Sequence, residues 1–288
     1  MATTPYDLNT FIKLNYKGFS KAEAKVADYV LAHPCEILYM AITDLSDACG
    51  VGDTTVFRFC KAIGLNGYQE FKVLLAQALS NIGSKTKIVY SGEVQAADTM
   101  EGTCQSTLND ALYALNSTFE LINYEMLEKA VSMIEKAARI HFFGNGASGN
   151  AAMDAKNKFI RIIPNVECVL DSHIQAISAA MMRSEDLAII YSYGGSNKDA
   201  LDIMRIVKEN NVPIIVITRF AKSPSTKYAD IVLLCGSNEG PLQGGSTSAR
   251  ISQIFWTDLL YNAYFRRNYE QSSYNKTLTT KAVSSKLL

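Results

Sequence analysis

From Arg139 onward, short apolar runs alternate with amphipathic stretches. "RIHFFG" precedes "NAAMDAKNKFIRII", "NVECVL" precedes "IQAISAAMM", and "DLAIIYS" precedes "KDALDIMRIVKEN". "VPIIVIT" then leads to a short "PSTKYA", and "DIVLLCG" to "ARISQIFWTDLLYNAYF". Strands buried on both faces read as unbroken apolar runs, and parallel neighbours need helical crossovers between them. Five such runs predict a doubly wound, five-stranded parallel sheet. Ligands of such sheets bind beyond the carboxyl ends of the strands. The helix holding Ile254, Phe255, Trp256, Leu259 and Leu260 is too apolar for a surface element. It is expected in the core or at a subunit interface. The final stretch, "SSYNKTLTTKAVSSKLL", is expected to be a loosely ordered tail.

The residues before this pattern read as helical. Ser20 and Glu23 form a capping box ahead of an apolar-periodic stretch that Pro34 ends. "CEILYMA", "TDLSDACG", "DTTVFRFCKAIG" and "GYQEFKVLLAQAL" predict further helices. The polar stretch "SNIGSKTKIVYSGEVQAAD" reads as a linker, and "MEGTCQSTLNDALYALNSTFELI" and "EMLEKAVSMIEKA" resume as helices. The expected organisation is an α-helical domain at 1–79, a linker at 80–100 and an α/β doubly wound domain at 101–288.

Within the helical part, "ITDLSDACGVGDTTVFRFCK" fits a helix-turn-helix. Leu45 and Cys49 point inward, Ser46 is small where the second helix passes, and Gly50 takes a left-handed turn. Val51, Val56 and Phe59 bury the second helix, which Gly52 or Asp53 begins. Asp53, Thr54, Thr55, Phe57, Arg58 and Lys61 are left outward. The second helix of such a motif lies in the major groove. Thr54, Thr55, Arg58 and Lys61 are the candidate DNA contacts, with Lys17, Lys21, Lys25 and Lys72 as candidate phosphate contacts. A helical bundle used for protein contact is the alternative, since acids offset bases in this segment.

Two loops at predicted strand ends carry the other candidate site. "FGNGASG" places Gly144, Gly146 and Gly149 in a GxGxxG, with Ser148 inside the turn. "YSYGGSNKD" brings Ser192, Tyr193, Gly194, Gly195, Ser196 and Asn197 to a helix start. Hydroxyls and backbone N–H groups at a helix N-terminus suit a phosphate dianion. Together, Gly146, Ser148 and the 192–197 loop suit one small phosphorylated ligand better than a dinucleotide, and "TRFAKSPSTKYAD" closes the next strand. Asp171 keeps the dinucleotide alternative open, as an acid near the second strand end. No cofactor and no metal is expected.

Lysine plus arginine balances aspartate plus glutamate at 28 each, so no polyanion partner follows from overall charge. The six cysteines are Cys35, Cys49, Cys60, Cys104, Cys168 and Cys235. They form no CxxC pair, and most sit in apolar sequence, which points to buried reduced thiols. The N-terminus lacks a signal pattern, and no run nears the roughly 20 apolar residues of a membrane span. A cytoplasmic location without membrane contact is expected.

"FGNGASG", "YSYGGSNK" and "ITRFAKSPSTKYADIVL" resemble the sugar isomerase (SIS) domain, a phosphosugar-binding doubly wound fold. "LSDACGVGDTTVFRFCKAIGLNGYQEFK" resembles the helix-turn-helix of the RpiR family of bacterial transcriptional regulators. The resemblance covers nearly the whole chain in the family's order. It implies a DNA-binding regulator of sugar-metabolism genes, controlled by a sugar phosphate on the SIS domain. The family's first-loop serine falls on Ser148. Its Ser-x-Ser-Gly-x-Thr loop falls on Ser192 and Gly195, with Gly194 and Asn197 where a serine and a threonine usually stand. Gly52 replaces the usual N-cap serine. One recognition helix reads few base pairs, so a homodimer or homotetramer on a double-stranded operator is expected. An SIS-type aldose–ketose isomerase is the alternative function, with Glu239 or His173 as the candidate base.

Overall fold

The computed structural model describes residues 8–81, 99–236, 239–242, 245–284 and 286. The chain divides into two compact units, Met1–Asp98 with Asn238–Gly244 and Thr99–Ser237 with Gly245–Leu288. Of the linker expected at 80–100, residues 82–98 lie outside the described residues.

The first unit is helical. It comprises α1 (Leu8–Asn15), α2 (Lys21–Ala32), α3 (Pro34–Ile37), α4 (Ile42–Cys49), α5 (Asp53–Ala62) and α6 (Tyr68–Asn81). The expected capping box opens α2. The Glu23 N–H donates to Ser20 Oγ at 3.3 Å, and the Ser20 N–H to the Glu23 carboxylate at 2.8 Å. Pro34 takes the first position of α3, where its missing N–H costs nothing. Val26, Val30, Ile37, Leu45, Val56, Phe59 and Phe71 form a fully buried core. Gly50 ends α4 at φ +61°, where a side chain would be strained.

The second unit holds α7 (Met100–Glu120), α8 (Tyr124–Lys136), β1 (Ile140–Gly144), α9 (Ala147–Phe159), β2 (Val166–Cys168) and α10 (Ser172–Ala180). β3 (Leu187–Tyr191), α11 (Lys198–Glu209), β4 (Ile214–Thr218), β5 (Ile231–Leu234), α12 (Thr247–Arg267) and α13 (Tyr269–Ser284) follow. The strands are all parallel in the order β2-β1-β3-β4-β5. Alternate side chains serve opposite faces of this sheet. Phe142, Ile189, Tyr191 and Ile217 meet Phe159, Trp256 and Leu260 from α9 and α12. Phe143, Ile190 and Val216 meet Ala179 of α10 and Ile203, Met204 and Val207 of α11. The apolar helix around Trp256 is therefore core.

Two expectations need correction. The C-terminal residues from Ser272 form most of α13 rather than a loose tail. Their helix carries no strong apolar stripe. It is held by polar groups: Asn275 Nδ2 donates to the Ile162 carbonyl at 2.7 Å and Thr279 Oγ1 to the Arg161 carbonyl at 3.1 Å. These carbonyls lie just past α9 and take no other bond among the described residues. The cysteines are also more varied than expected. Cys60 and Cys235 are buried, but Cys35 and Cys104 are exposed. Burial pushes the Cys60 thiol up to about 12 and the Cys168 thiol up to about 11.

Replacing Gly50 by Ala tests the α4–α5 turn. A Cβ there meets nothing within 4 Å, so only the left-handed backbone is penalised. The expected loss is about 1 kcal/mol, read from the denaturant midpoint of the full chain.

Candidate functional site

In the helical unit, the turn between α4 and α5 is built by one buried hydroxyl. Ser46, 2% exposed, donates to Asp53 Oδ1 at 2.5 Å and to the Thr43 carbonyl at 3.0 Å. A single proton cannot serve both at once, so the two acceptors share it. Asp53, expected to face outward, is thus half-buried and turned back toward α4. Gly52 caps α5 through its backbone, without a side-chain bond.

Four of the remaining outward residues lie as expected. Thr54, Phe57, Arg58 and Lys61 are exposed and Thr55 is half-buried, while Val56 and Phe59 are fully buried. Lys61 Nζ lies 5.5 Å from the centre of the Phe57 ring. Lys17, Lys21 and Lys25 are exposed. Lys72 is not: it is 6% exposed, donates to the Met40 carbonyl at 3.2 Å and sits 5.2 Å from the Tyr68 ring centre. A lysine stem readily packs on apolar surface, and here the ammonium is committed inward, which removes Lys72 from the phosphate contacts.

In the second unit, Gly144 pairs with Tyr191 across β1 and β3. The loops after these two strands therefore start side by side. Here the strand order reverses, since β2 lies on one side of β1 and β3 on the other. Open parallel sheets form their ligand crevice at such a reversal. The glycines of "FGNGASG" serve the backbone. A Cβ on Gly144 would lie 2.5 Å from the Ser148 carbonyl oxygen, so strand and helix meet too closely for a side chain. Gly146 adopts φ +57° and, as the N-cap of α9, gives the first N–H groups of that helix no side-chain hydrogen bond.

Ser148 stands in the first turn of α9. Its Oγ accepts from Gln253 Nε2 of α12 at 3.0 Å. Ser192 directly follows β3, 5% exposed, and its hydroxyl has no hydrogen-bond partner among the described residues. The Gly195 N–H donates to the Ser192 carbonyl at 3.1 Å, turning the chain back. Gly195 has φ +63°, and a Cβ there would fall 2.2 Å from Ser223 Oγ. Ser223 and Ser225, buried and hydrogen-bonded to each other at 2.8 Å, brace the loop from below. Gly194 is exposed with nothing within 4 Å of a built Cβ, so space remains open there. Tyr193 is half-buried against the core, and Ser196 is half-buried in the loop. Asn197 caps α11, its side-chain oxygen accepting from the Ala200 N–H at 3.0 Å. That oxygen is thereby taken up by the helix.

Asp171 is occupied in the same way, capping α10 through the Ile174 N–H at 3.0 Å. His173 is exposed in the first turn of that helix, and Glu239 is half-buried. Among the described residues no group of three or more His, Cys, Asp or Glu could hold a metal, and no helix is long and apolar enough to cross a membrane.

Sequence reasoning missed Gln253 and Gln175. Gln175, 1% exposed, donates to the Gly144 carbonyl at 2.9 Å and to the Val169 carbonyl at 3.0 Å, pinning α10 under the first loop. For Gln253 a signal exists: Gln253 and Thr257 are polar and one turn apart, interleaved with the apolar Ile254, Phe255, Trp256, Leu259 and Leu260. A buried polar side chain needs a partner, and such a pair points to one.

Comparisons with known proteins give matches to both parts of the chain. Residues 6–82 match the helix-turn-helix domain of the rpiR family, and residues 133–263 match the SIS domain. The chain is 33% identical over 246 residues to an uncharacterized HTH-type transcriptional regulator of Haemophilus influenzae, covering 85% of each. It is 30% identical over 214 residues to the HTH-type transcriptional regulator HexR of Pseudomonas aeruginosa, covering 74% of this chain and 73% of that one. Among solved structures, Vibrio vulnificus NanR in complex with ManNAc-6P superposes with a TM-score of 0.85 at 25% identity, covering 97% and 99% of the two chains. The chain belongs to the rpiR family of helix-turn-helix transcriptional regulators, with an SIS domain after its DNA-reading motif.

Proposed function

We propose that this regulator senses a sugar phosphate held between the loops at Ser148 and Ser192 and transmits its presence to operator DNA read by α5. The carrying observation is the placement of these two hydroxyls at the carboxyl ends of paired strands, beside the strand-order reversal. Gly146 and Gly194 leave the loops open, and the start of α9, which its N-cap glycine leaves without a side-chain bond, favours an anion. Gly146, Tyr193, Gly195, Ser196 and Asn197 complete the ligand set, Asn197 through its amide group. The complex of NanR with ManNAc-6P supports the same ligand class.

Thr54, Thr55, Arg58 and Lys61 form the DNA-reading surface, with residues 1–79 as reader, 80–100 as linker and 101–288 as sensor. The effector acts by its different affinity for two arrangements of the protein, a coupling of about 1–3 kcal/mol. We assign no turnover to this site. His173 stands exposed at the start of α10, and the similar proteins HexR and RpiR are named as regulators. A reader of operator DNA works in the cytoplasm.

The protein acts as at least a dimer, since two recognition helices about 34 Å apart are needed for a two-half-site operator. Ile174, Ile177 and Met181 of α10 and its C-terminal end, with Leu170 just before it, are 47%, 61%, 70% and 50% exposed at helical spacing. From Leu170 to Met182 the one Asp, Glu, Lys or Arg is Asp171, whose carboxylate caps α10, so two copies can pair this stripe with little repulsion.

A thermal-shift panel of hexose, pentose and amino-sugar phosphates, ManNAc-6P and NAD(P) tests the central claim. A sugar phosphate should raise the melting temperature by mass action, and a response to NAD(P) alone would replace this reading. Ser148→Ala with Ser192→Ala should weaken that sugar phosphate on the order of 100-fold, measured by calorimetry, since each removes a hydrogen bond to a charged group. Arg58→Ala should weaken operator binding about 10- to 100-fold in a mobility-shift titration while the thermal response to the sugar phosphate persists. Ile177→Asp should convert the dimer to monomer in sedimentation, and a dimer that survives would move the interface elsewhere.

A further inference from the structure

The contact between Gln253 and Ser148 fixes more than position. A serine hydroxyl has one proton and two lone pairs. Gln253 Nε2 is a donor, so its 3.0 Å bond to Ser148 Oγ occupies a lone pair and leaves the proton free to point away. Among the described residues no acceptor takes that proton. Ser148 therefore faces the crevice as a committed donor. A phosphate dianion offers only acceptors.

The same helix steadies the second loop. Thr257 Oγ1, one turn beyond Gln253, donates to the Gln253 carbonyl at 3.2 Å. It also shares a 2.7 Å hydrogen bond with the Tyr191 hydroxyl. Tyr191 directly precedes Ser192. Gln253 and Thr257 are 1% and 0% exposed, so neither is a surface residue that drifted into range.

We propose that Gln253 is a positioning residue for anion recognition, turning the Ser148 proton outward so that the first loop discriminates for a phosphoryl group, with Thr257 holding the second loop in register. This inference rests on the reading of Ser148 as a phosphate contact and deepens it. Gln253 itself touches the serine, not the ligand. It makes the site selective for acceptor-only groups, so the unphosphorylated sugar gains little from it.

Gln253→Glu and Gln253→Met separate this role from packing. In the full-length protein, calorimetry would follow inorganic phosphate and the sugar phosphate that most stabilises the wild type. Gln253→Met keeps length and removes the donor, and should weaken both ligands about 3- to 10-fold. Gln253→Glu at pH 8 places a carboxylate that accepts the Ser148 proton and repels the anion, and binding should be lost. As pH falls toward 5.5 the carboxyl protonates and can donate again, so Gln253→Glu should regain affinity. Wild-type affinity should fall over the same range, because a phosphate monoester loses its second charge near pH 6. A packing role would weaken binding alike at every pH. Wild-type binding by both variants, or a Gln253→Glu profile parallel to the wild type, overturns the proposal. A wild type that binds neither ligand overturns the phosphosugar reading itself.

Discussion

The parallel pairing of β1 with β3 is the constraint on which the sensor unit depends. It sets Gly144 beside Tyr191, and so brings the turn holding Ser148 next to the turn holding Ser192, although the two are distant along the chain. Everything at the crevice follows from that register. A slip of one residue would turn each buried side chain to the other face of the sheet. The register is held by core side chains on both faces, and the close approach of Gly144 to the first turn of α9 then fixes where Ser148 can stand. The site is well defined because it is carried on rigid elements, with Gln175 and Gln253 fastening its loops to α10 and α12.

The helical unit works with little charge to spare. Its acids offset its bases, and Lys72 is withdrawn into the core to bond the Met40 carbonyl. What remains outward is a narrow set on α5, with Lys17, Lys21 and Lys25 also exposed. A surface with few basic groups gains less from general attraction to a duplex.

Much of this was legible in the sequence because it rests on local rules. Unbroken apolar runs mark the parallel strands, and the Ser20–Glu23 box and the Gly50 turn mark elements whose signals lie within a few residues. Ser148 and Ser192 were legible as loop hydroxyls after strands. The misses share a physical cause: each depends on a partner that no local rule supplies. Asn275 and Thr279 look like tail residues until the carbonyls of Arg161 and Ile162 are beside them. Asp53 looks outward until Ser46 reaches it, and Lys72 looks like a surface cation until Met40 does. Asn197 suited a ligand and also suits a helix cap, and composition does not choose between those roles.

The clasp of α13 on α9 has a consequence for building chimeric sensors. One helix carries Ser148 in its first turn, and the backbone just past its last turn is gripped by Asn275 and Thr279. A graft that stops at Arg267, where the sheet-covering helices end, would leave two carbonyls of that rod without their donors. The transplanted module has to run through Ser284 if the end that carries Ser148 is to stay where the sheet puts it.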